Sequence, residues 1–387
     1  MKTLLIILSD RISDIVAKGE ITDRYYNPGD VFDEVHFLMI GDDRPDDRHL
    51  QKLVGRARFH VHNHPAGRRV FLQSLGWRPL LLRHWASGAV RLASHIRPSL
   101  VRCHGAHLNA YVASEIKRVL GVPYLVSLHI NPDEDVRGRD AGFVERLRNT
   151  AIRTVERSAL RNADLVMPVY RPIVPYLKRL GVRRYEVCYN VLNPAHLTEK
   201  TSYALHDPVR IISVGRQFRE KNPDNLICAV ASLPGIHLTL VGDGGYHDYL
   251  RRVAEESNCQ DRIIFQRALP NDVLCSMLPE FDMFAVHSEY WEISKSVLEP
   301  LLCGMPVIIN CRKGAPVPEL TQEICMLIEN SVEGYREAIL ALIRDDDMRE
   351  RIGLAAYAHA QAYWIPEKTE ARFAEIYRKH MLPKVDA

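Results

Sequence analysis

The chain has 387 residues, of which 47% are hydrophobic and 26% are charged, with 21 Gly and 22 Pro. This composition excludes a disordered, fibrous or repetitive protein, and the length suggests two domains rather than one small module. The formal net charge of +3 points by itself to neither a nucleic acid nor a membrane as partner.

Short apolar, β-branched runs alternate with longer helical patterns along the first half of the chain. This alternation is typical of βαβ units and parallel sheets. The predicted strands are 3–8, 35–40, 100–103, 124–128 and 165–169. They indicate a Rossmann-like domain, although their spacing does not define the strand order.

The second half repeats the pattern more regularly, and each gap between strands has room for one helix. The predicted strands are 209–214, 237–241, 262–265, 283–286, 306–309 and 325–328. They predict one doubly wound α/β sheet. A polar, turn-rich stretch at 193–207 separates the halves. We therefore predict a first domain over 1–196, a second over 197–365, and a C-terminal helix within 366–387 that can cross back to the first domain.

Two such domains are expected to face each other across a cleft, and ligands of parallel sheets bind beyond the carboxyl ends of the strands. The eight cysteines are scattered and include no CxxC pair. They favour buried free thiols in a reducing cytosol over disulfides or a zinc site. Because no apolar run approaches the roughly 18 residues that span a bilayer, we expect a cytoplasmic protein, with any membrane contact peripheral at the inner face.

The loop after strand 209–214 carries the first candidate site. Arg216 and Lys221 follow Gly215 in this loop and present two cations at a strand's carboxyl end. Such a pair can neutralise a diphosphate, because arginine offers a planar fork and lysine a point charge. The alternative is a solvated basic turn.

The second candidate site follows strand 283–286, where a polar loop leads into a helix that begins at Ser294, Lys295 and Ser296. The amino end of a helix attracts anions. Glu292 precedes this helix, and Glu299 lies two turns along it and could accept hydrogen bonds from sugar hydroxyls. The alternative is that Glu292 caps the helix and Glu299 is a solvated carboxylate.

Together these loops, the Gly242-Asp243-Gly244 turn and the Cys303-Gly304 turn resemble the retaining GT-B glycosyltransferases of the GT4 type, also called glycosyl transferases group 1. The resemblance is strong over about 209–330 and weak before it. It implies that Arg216 and Lys221 bind the donor diphosphate and that Glu299 binds the nucleotide ribose. It also implies an earlier glutamate that contacts the donor sugar.

That earlier glutamate departs from the family spacing. The family has seven residues between its two glutamates, and here Trp291 occupies the expected position. Glu292, with six intervening residues, is the first choice, and Glu289 is the second.

In the first domain the resemblance implies a histidine at a strand end near the acceptor. His129 follows strand 124–128 and matches that position, and His104 ends the preceding strand as a second acceptor-side candidate. Gly19 corresponds to the family's phosphate-approaching glycines, and Arg267 completes the donor-binding set.

No metal or other cofactor is expected. The sequence 133–135 (Asp-Glu-Asp) has the form of a metal-binding DxD motif, but it follows His129 in the first domain and is better explained as a solvated loop. The turn 242–245 lacks the lysine and the third glycine of nucleotide-binding fingerprints.

The activity implied is transfer of a sugar, with retention, from a nucleotide diphosphate sugar to an acceptor hydroxyl. UDP is the preferred donor base and GDP the second. The expected acceptor is a lipid-linked saccharide or a cell-envelope polysaccharide. A sugar-nucleotide hydrolase or epimerase and a non-catalytic, membrane-associated scaffold remain as alternatives.

The stretch 48–114 contains eleven Lys and Arg residues and no Asp or Glu, interleaved with Trp and Leu. One interpretation is a surface that binds anionic lipid head groups. The other is a helical core face with solvated arginines. No nucleic-acid partner is expected, because no binding motif accompanies the charge.

Overall fold

The computed structural model describes residues 1–67, 70, 79–134, 143–267, 269–312 and 316–382. The chain divides into two compact units. The first unit comprises Met1–Ala17, Ile21–Val191 and Glu367–Ala387, and the second comprises Lys18–Glu20 and Leu192–Pro366. The second unit is therefore inserted in the chain of the first.

The first unit contains a six-stranded parallel sheet. Its strands are β1 (Thr3–Leu8), β2 (Glu34–Met39), β3 (Arg58–Asn63), β4 (Leu100–His104), β5 (Tyr124–Leu128) and β6 (Leu165–Pro168). The order is β3-β2-β1-β4-β5-β6, the doubly wound order with its switch point between β1 and β4. Every residue of β1 is buried, which agrees with its continuous apolar sequence.

Helices cover this sheet. Those of the first unit are α1 (Ile12–Ala17), α2 (Asp47–Val54), α3 (Pro79–Ile96), α4 (Leu108–Leu120), α5 (Phe143–Asn162), α6 (Val174–Leu180) and, at the end of the chain, α13 (Pro366–His380). Phe373 and Tyr377 of α13 are buried in the same hydrophobic cluster as Phe32 and Phe37. The C-terminal helix thus completes a core built by the first 191 residues.

The second unit repeats the architecture. Its strands are β7 (Val209–Val214), β8 (Ile236–Val241), β9 (Ile263–Gln266), β10 (Met283–Val286), β11 (Val307–Asn310) and β12 (Met326–Ile328). Their order is β12-β11-β10-β7-β8-β9, again all parallel. The switch point lies between β7 and β10.

The helices of the second unit follow the same alternation. They are α7 (Asp224–Ala231), α8 (His247–Glu256), α9 (Asn271–Met277), α10 (Lys295–Leu302), α11 (Val332–Arg344) and α12 (Asp346–Tyr363). The predicted α/β class is confirmed in both units. The strand missed by the sequence is β3, whose residues alternate between polar and apolar at a sheet edge.

All eight cysteines are free and six of them are buried, as predicted. Among the residues that the structure describes, no helix is both long and apolar enough to cross a membrane.

Candidate active site

The two candidate loops of the second unit follow β7 and β10, the two strands that flank its switch point. The backbone N–H of Glu289 donates to the carbonyl of Glu220 at 2.8 Å and joins the loops. Crevices at switch points are where doubly wound sheets bind ligands. The fold therefore brings both sequence motifs to one place.

A glycine turn after β8 supports the first loop from behind. Gly242 has φ of +147°, and a Cβ there would lie 1.9 Å from the carbonyl oxygen of Gly215. Gly244 has φ of +155°, and its Cβ would lie 2.2 Å from the carbonyl oxygen of Gln217. The N–H of Gln217 donates to the carbonyl of Asp243 at 2.9 Å. Only glycine permits this close approach.

Lys221 and Glu292 connect the two motifs through their side chains. The Nζ atom of Lys221 lies 2.8 Å from Oε1 of Glu292, and the two side chains are 14% and 19% exposed. Lys221 also lies 5.6 Å from the ring centroid of Tyr290. The lysine is therefore no solvated turn residue, and it carries its own counter-ion.

Two of the other predicted cations, Arg216 and Arg267, are exposed. The guanidinium of Arg216 lies over the ring of Phe218, 5.1 Å from its centroid. Arg267 lies 3.6 Å from Asp243 in the glycine turn. Arg216 shares a loop with Lys221, whereas Arg267 is placed beside the supporting turn.

Helix α10 begins after Ser294, which is its N-cap residue. Glu292 consequently does not cap this helix, and that alternative is wrong. The hydroxyls of Ser294 and Ser296 are 2.9 Å apart, and Lys295 pairs with Glu20 at 3.2 Å.

Gly19 belongs to the short segment 18–20 that groups with the second unit. It has φ of +67°, and a Cβ there would lie 2.9 Å from the backbone nitrogen of Asn271. Its left-handed conformation and this close contact both favour glycine.

Glu299 is buried within α10 and is only 4% exposed, so the alternative of a solvated carboxylate is also wrong. Its Oε1 atom accepts a hydrogen bond from Nδ2 of Asn271 at 2.9 Å. Burial raises the pKa of Glu299 to about 7, although the hydrogen bond from Asn271 opposes the shift. The Oδ1 atom of Asn271 in turn lies 3.0 Å from Nδ1 of His196.

In the first unit His104 and His129 form a stacked pair, with ring centroids 5.1 Å apart and an interplanar angle of 12°. His104 is the last residue of β4, and His129 directly follows the neighbouring strand β5. Nδ1 of His129 donates to Oδ1 of Asn190 at 3.2 Å, which leaves the lone pair on Nε2. Burial, with the nearby Arg102 and His129, holds the pKa of His104 well below its usual range.

Arg102 corrects one part of the sequence interpretation. It was counted among the cations of the acid-free stretch, but it is 1% exposed. Its guanidinium donates to Ser127 at 3.0 Å and to Tyr377 at 2.6 Å, and it lies over the ring of Phe373. It is a buried cation of the core and does not contribute to a charged surface.

Other arginines of the stretch 48–114 pair with carboxylates from neighbouring parts of the chain, although the stretch itself contains no Asp or Glu. Arg48 pairs with Asp46, Arg56 with Asp30 and Arg83 with Glu115, and all three carboxylates lie outside the stretch. Trp85 stacks on His64. Arg68, Arg69, Arg78 and Trp77 lie outside the described residues.

Several residues of the site escaped sequence analysis. Gln217 is buried and bonded to His247 at 2.8 Å, and His287 is buried beside Lys221 in a small cavity. Asn271 bonds to Glu299, and His196 bonds to Asn271, from distant parts of the chain. For His287 a signal existed, because it directly follows strand β10. Asp133 of the declined acidic motif pairs with Arg179, and Asp135 lies outside the described residues.

The two units together define a GT-B glycosyltransferase fold. The structure of Anabaena HepE in complex with UDP superposes with a TM-score of 0.73 at 17% identity, and the match covers 98% of this chain and 100% of that one. At this identity the likeness concerns the fold.

Two family models identify the chain more closely. The model described as "Glycosyl transferase 4-like domain" matches residues 32–190, and the model "Glycosyl transferases group 1" matches residues 198–359. They cover most of both units, and the chain belongs to the GT4-like group 1 glycosyltransferases.

Curated relatives share about a quarter of their aligned residues with this chain. A 2-deoxystreptamine N-acetyl-D-glucosaminyltransferase of Streptomyces fradiae is 27% identical over 231 residues, covering 54% of each chain. A GDP-mannose-dependent alpha-(1-6)-phosphatidylinositol monomannoside mannosyltransferase of Mycolicibacterium smegmatis is 26% identical over 186 residues, covering 45% of this chain and 49% of its own. The chain thus spans about half the length of these two relatives.

Proposed function

We propose that this protein transfers a sugar from a nucleoside diphosphate sugar to an acceptor hydroxyl with retention of configuration at the anomeric carbon. The observation that carries the proposal is the pair of Lys221 and Glu292, 2.8 Å apart and held by loops on both sides of the switch point. A donor with a diphosphate and a sugar offers a partner to each of these two groups.

In this proposal the bond between the anomeric carbon and the β-phosphate oxygen breaks, and negative charge develops on that oxygen. Lys221 leaves its ion pair with Glu292 and pairs with the diphosphate instead. Arg216 supplies a second cation from the same loop. The amino end of α10 adds its dipole. Such pre-positioned positive groups stabilise the leaving group without a metal ion, and we propose a metal-independent reaction.

The two glutamates then take different hydroxyls. Glu292, released from Lys221, accepts a hydrogen bond from a hydroxyl of the donor sugar. Glu299, which Asn271 holds in place, accepts a hydrogen bond from a hydroxyl of the ribose. A carboxylate accepts a hydrogen bond from a hydroxyl more strongly than the neutral acid does, so donor binding favours ionisation of Glu299.

The first unit supplies the acceptor side of the proposal. Nε2 of His129 carries a lone pair because Nδ1 donates to Asn190, and it can accept from a sugar hydroxyl. His104 supports the ring of His129 by stacking. The acceptor proton passes to an oxygen of the leaving phosphate, so no side chain serves as the base.

For the donor we propose UDP-sugars first and GDP-sugars second. HepE was crystallised with UDP, whereas the mycolicibacterial relative is named as GDP-mannose-dependent. For the acceptor we propose a lipid-linked saccharide or an envelope polysaccharide. One relative is named for phosphatidylinositol monomannoside, a saccharide on a lipid, and another for 2-deoxystreptamine.

A peripheral contact with an anionic membrane is the last part of the proposal, carried by the basic stretch 48–114. The carboxylates that pair with Arg48, Arg56 and Arg83 weaken its field. We therefore expect liposome binding that disappears near physiological salt. Neutralising Arg68, Arg69, Arg78 and Arg83 should abolish that binding; unchanged binding would remove the membrane from the proposal and leave the transferase intact.

Calorimetric titration with UDP, GDP and ADP tests the donor site. One nucleotide should bind, and Lys221→Ala should weaken it about 100-fold or more. Arg219→Ala is the matched control, because Arg219 is an exposed cation of the same loop with no assigned role. This variant should bind the nucleotide with wild-type affinity.

Other outcomes identify the alternatives. No heat with any nucleotide would favour a scaffold. Consumption of a sugar nucleotide without an acceptor would favour a hydrolase or epimerase.

A further inference from the structure

One glutamate and three histidines cluster at the edge of the first unit's sheet. Glu34 and His36 lie on β2, and His60 and His62 lie on the edge strand β3. The parallel register sets His36 opposite His60. Residues two apart share a face of a strand, so all four side chains lie on one face.

This cluster is distinct from the residues assigned to donor and acceptor. Glu34 is the first residue of β2 and His36 the third, and His60 is the third residue of β3. Glu34, His36 and His60 therefore lie in the amino-terminal halves of these strands, whereas His104 and His129 lie at or beyond the carboxyl ends of theirs.

Three of the side chains point their ligand atoms at one another. Nε2 of His60 lies 3.0 Å from Oε1 of Glu34, and Nε2 of His36 lies 3.6 Å from Oε2 of Glu34. One ligand atom from each of the three residues falls within 4.8 Å of the others. Ligand bonds of about 2.0–2.2 Å to a tetrahedral zinc ion need spacings of roughly 3.4 Å, which modest side-chain rotations supply.

The environment of His36 suits a ligand. His36 is 6% exposed, and its Nε2 atom is buried with no hydrogen-bond partner. Its Nδ1 atom lies 2.9 Å from Nε2 of His62. When Nδ1 donates to His62, the lone pair of His36 Nε2 faces Glu34, which is the arrangement that orients metal-bound histidines.

The types of the three side chains also suit a divalent cation. Two imidazoles and a carboxylate are a ligand set typical of zinc.

We propose that Glu34, His36 and His60 bind one zinc ion, and that His62 orients His36 without touching the metal. The ion would join β3 to β2 and hold the exposed edge strand in register. Arg58, 3.7 Å from Glu34, competes for the same carboxylate. Because Arg58 is largely exposed, it can turn into solvent when the metal binds.

The test uses the full chain with any affinity tag removed, because a histidine tag would itself bind zinc. Equilibrium dialysis against Zn²⁺ with metal analysis should give one ion per chain. His60→Ala should weaken binding more than about 100-fold, and His62→Ala by about 10–100-fold, the usual effect of losing a partner that orients a ligand. His60 is exposed at the sheet edge, so its removal should leave the fold intact.

His95→Ala is the matched control, since His95 is an exposed histidine of the same unit outside the cluster. It should bind Zn²⁺ like wild type. Zn²⁺ should raise the melting temperature of wild type and of the control but not of His60→Ala. Equal affinity in His60→Ala and His95→Ala, or no saturable binding by wild type, would overturn the proposal. Each outcome is independent of the nucleotide titrations.

Discussion

The two units share one strand order but furnish their switch points with different chemistry. The second unit places a cation and two carboxylates there, Lys221 with Glu292 and the buried Glu299. The first unit places two stacked imidazoles, His104 and His129. The fold determines where the loops lie, and the side chains determine what each loop can bind.

This contrast matches the two substrates of the proposed reaction. A diphosphate needs positive charge that can be exchanged, whereas an acceptor hydroxyl needs a neutral hydrogen-bond partner. The low pKa of His104, caused first by burial, keeps that ring uncharged.

The largest loss of stability is expected from Gly244→Ala, because Gly244 lies in the turn that packs against the loop of Arg216 and Lys221. An added Cβ would lie 2.2 Å from the carbonyl of Gln217 at a φ of +155°. Strain and overpacking together should lower the free energy of unfolding by about 4 kcal/mol. Urea denaturation measures the change.

Gly235→Ala is its control. Gly235 also has a positive φ, +75°, but a Cβ there would meet no atom within 4 Å. Its cost should be about 1–2 kcal/mol, from strain alone. Equal costs would show that the close approach of the two loops is unimportant.

The second prediction concerns the buried carboxylate. Burial raises the pKa of Glu299 from 4.5 to about 7, so between these pH values the folded protein keeps a proton that the unfolded chain releases. Wild-type stability should therefore fall as pH rises through this window, by up to about 3 kcal/mol.

Glu299→Gln removes this titration. The free energy of unfolding of the variant, relative to wild type, should increase between pH 4.5 and 7 and stay constant above. Urea midpoints at four pH values are sufficient. A constant difference across the window would mean that Glu299 is ionised throughout.

The third prediction addresses the imidazoles of the first unit. His129→Ala should lower kcat/KM for the acceptor about 10- to 100-fold, because one hydrogen bond to a sugar hydroxyl is lost. Asn190→Ala should have a smaller effect in the same direction, because Asn190 acts only through the ring of His129.

Nucleotide affinity distinguishes a donor role from an acceptor role for these residues. Calorimetry should give wild-type affinity for the nucleoside diphosphate in both variants. A loss of nucleotide affinity would place His129 on the donor rather than the acceptor.

The smallest effect is expected from Arg267→Ala. Arg267 is 65% exposed and 3.6 Å from Asp243, and an exposed ion pair contributes about 0–1 kcal/mol. Nucleotide affinity should change less than about fivefold. A loss as large as that of Lys221→Ala would instead assign Arg267 to the diphosphate.

Much of the fold was predictable because the strands are continuous apolar runs. The predicted strands 209–214 and 283–286 agree with Val209–Val214 and Met283–Val286. Strand β3 was missed because its Arg-Phe-His-Val-His-Asn sequence has no apolar run. An edge strand buries only part of its surface and leaves a weaker signal.

The site was predictable only where neighbours in sequence carry it. Lys221 and Glu299 stand in local motifs, whereas Asn271 reaches Glu299, and His196 reaches Asn271, through contacts between distant segments. The burial of Arg102 was not predictable for the same reason, since its hydrogen-bond partner Tyr377 is 275 residues away. Local charge counts do not reveal such partners.

The insertion of the second unit between Val191 and Glu367 has a consequence for dividing this protein into fragments. A fragment that stops at residue 191 would lose Phe373 and Tyr377 from its core, and the guanidinium of Arg102 would keep Ser127 but lose Tyr377 as a hydrogen-bond partner. The portion 192–366 contains all of the second unit except the short segment 18–20. It is therefore the better module for separate expression. Exchange of the inserted portion 192–366 between related proteins therefore requires two junctions, one on each side of it.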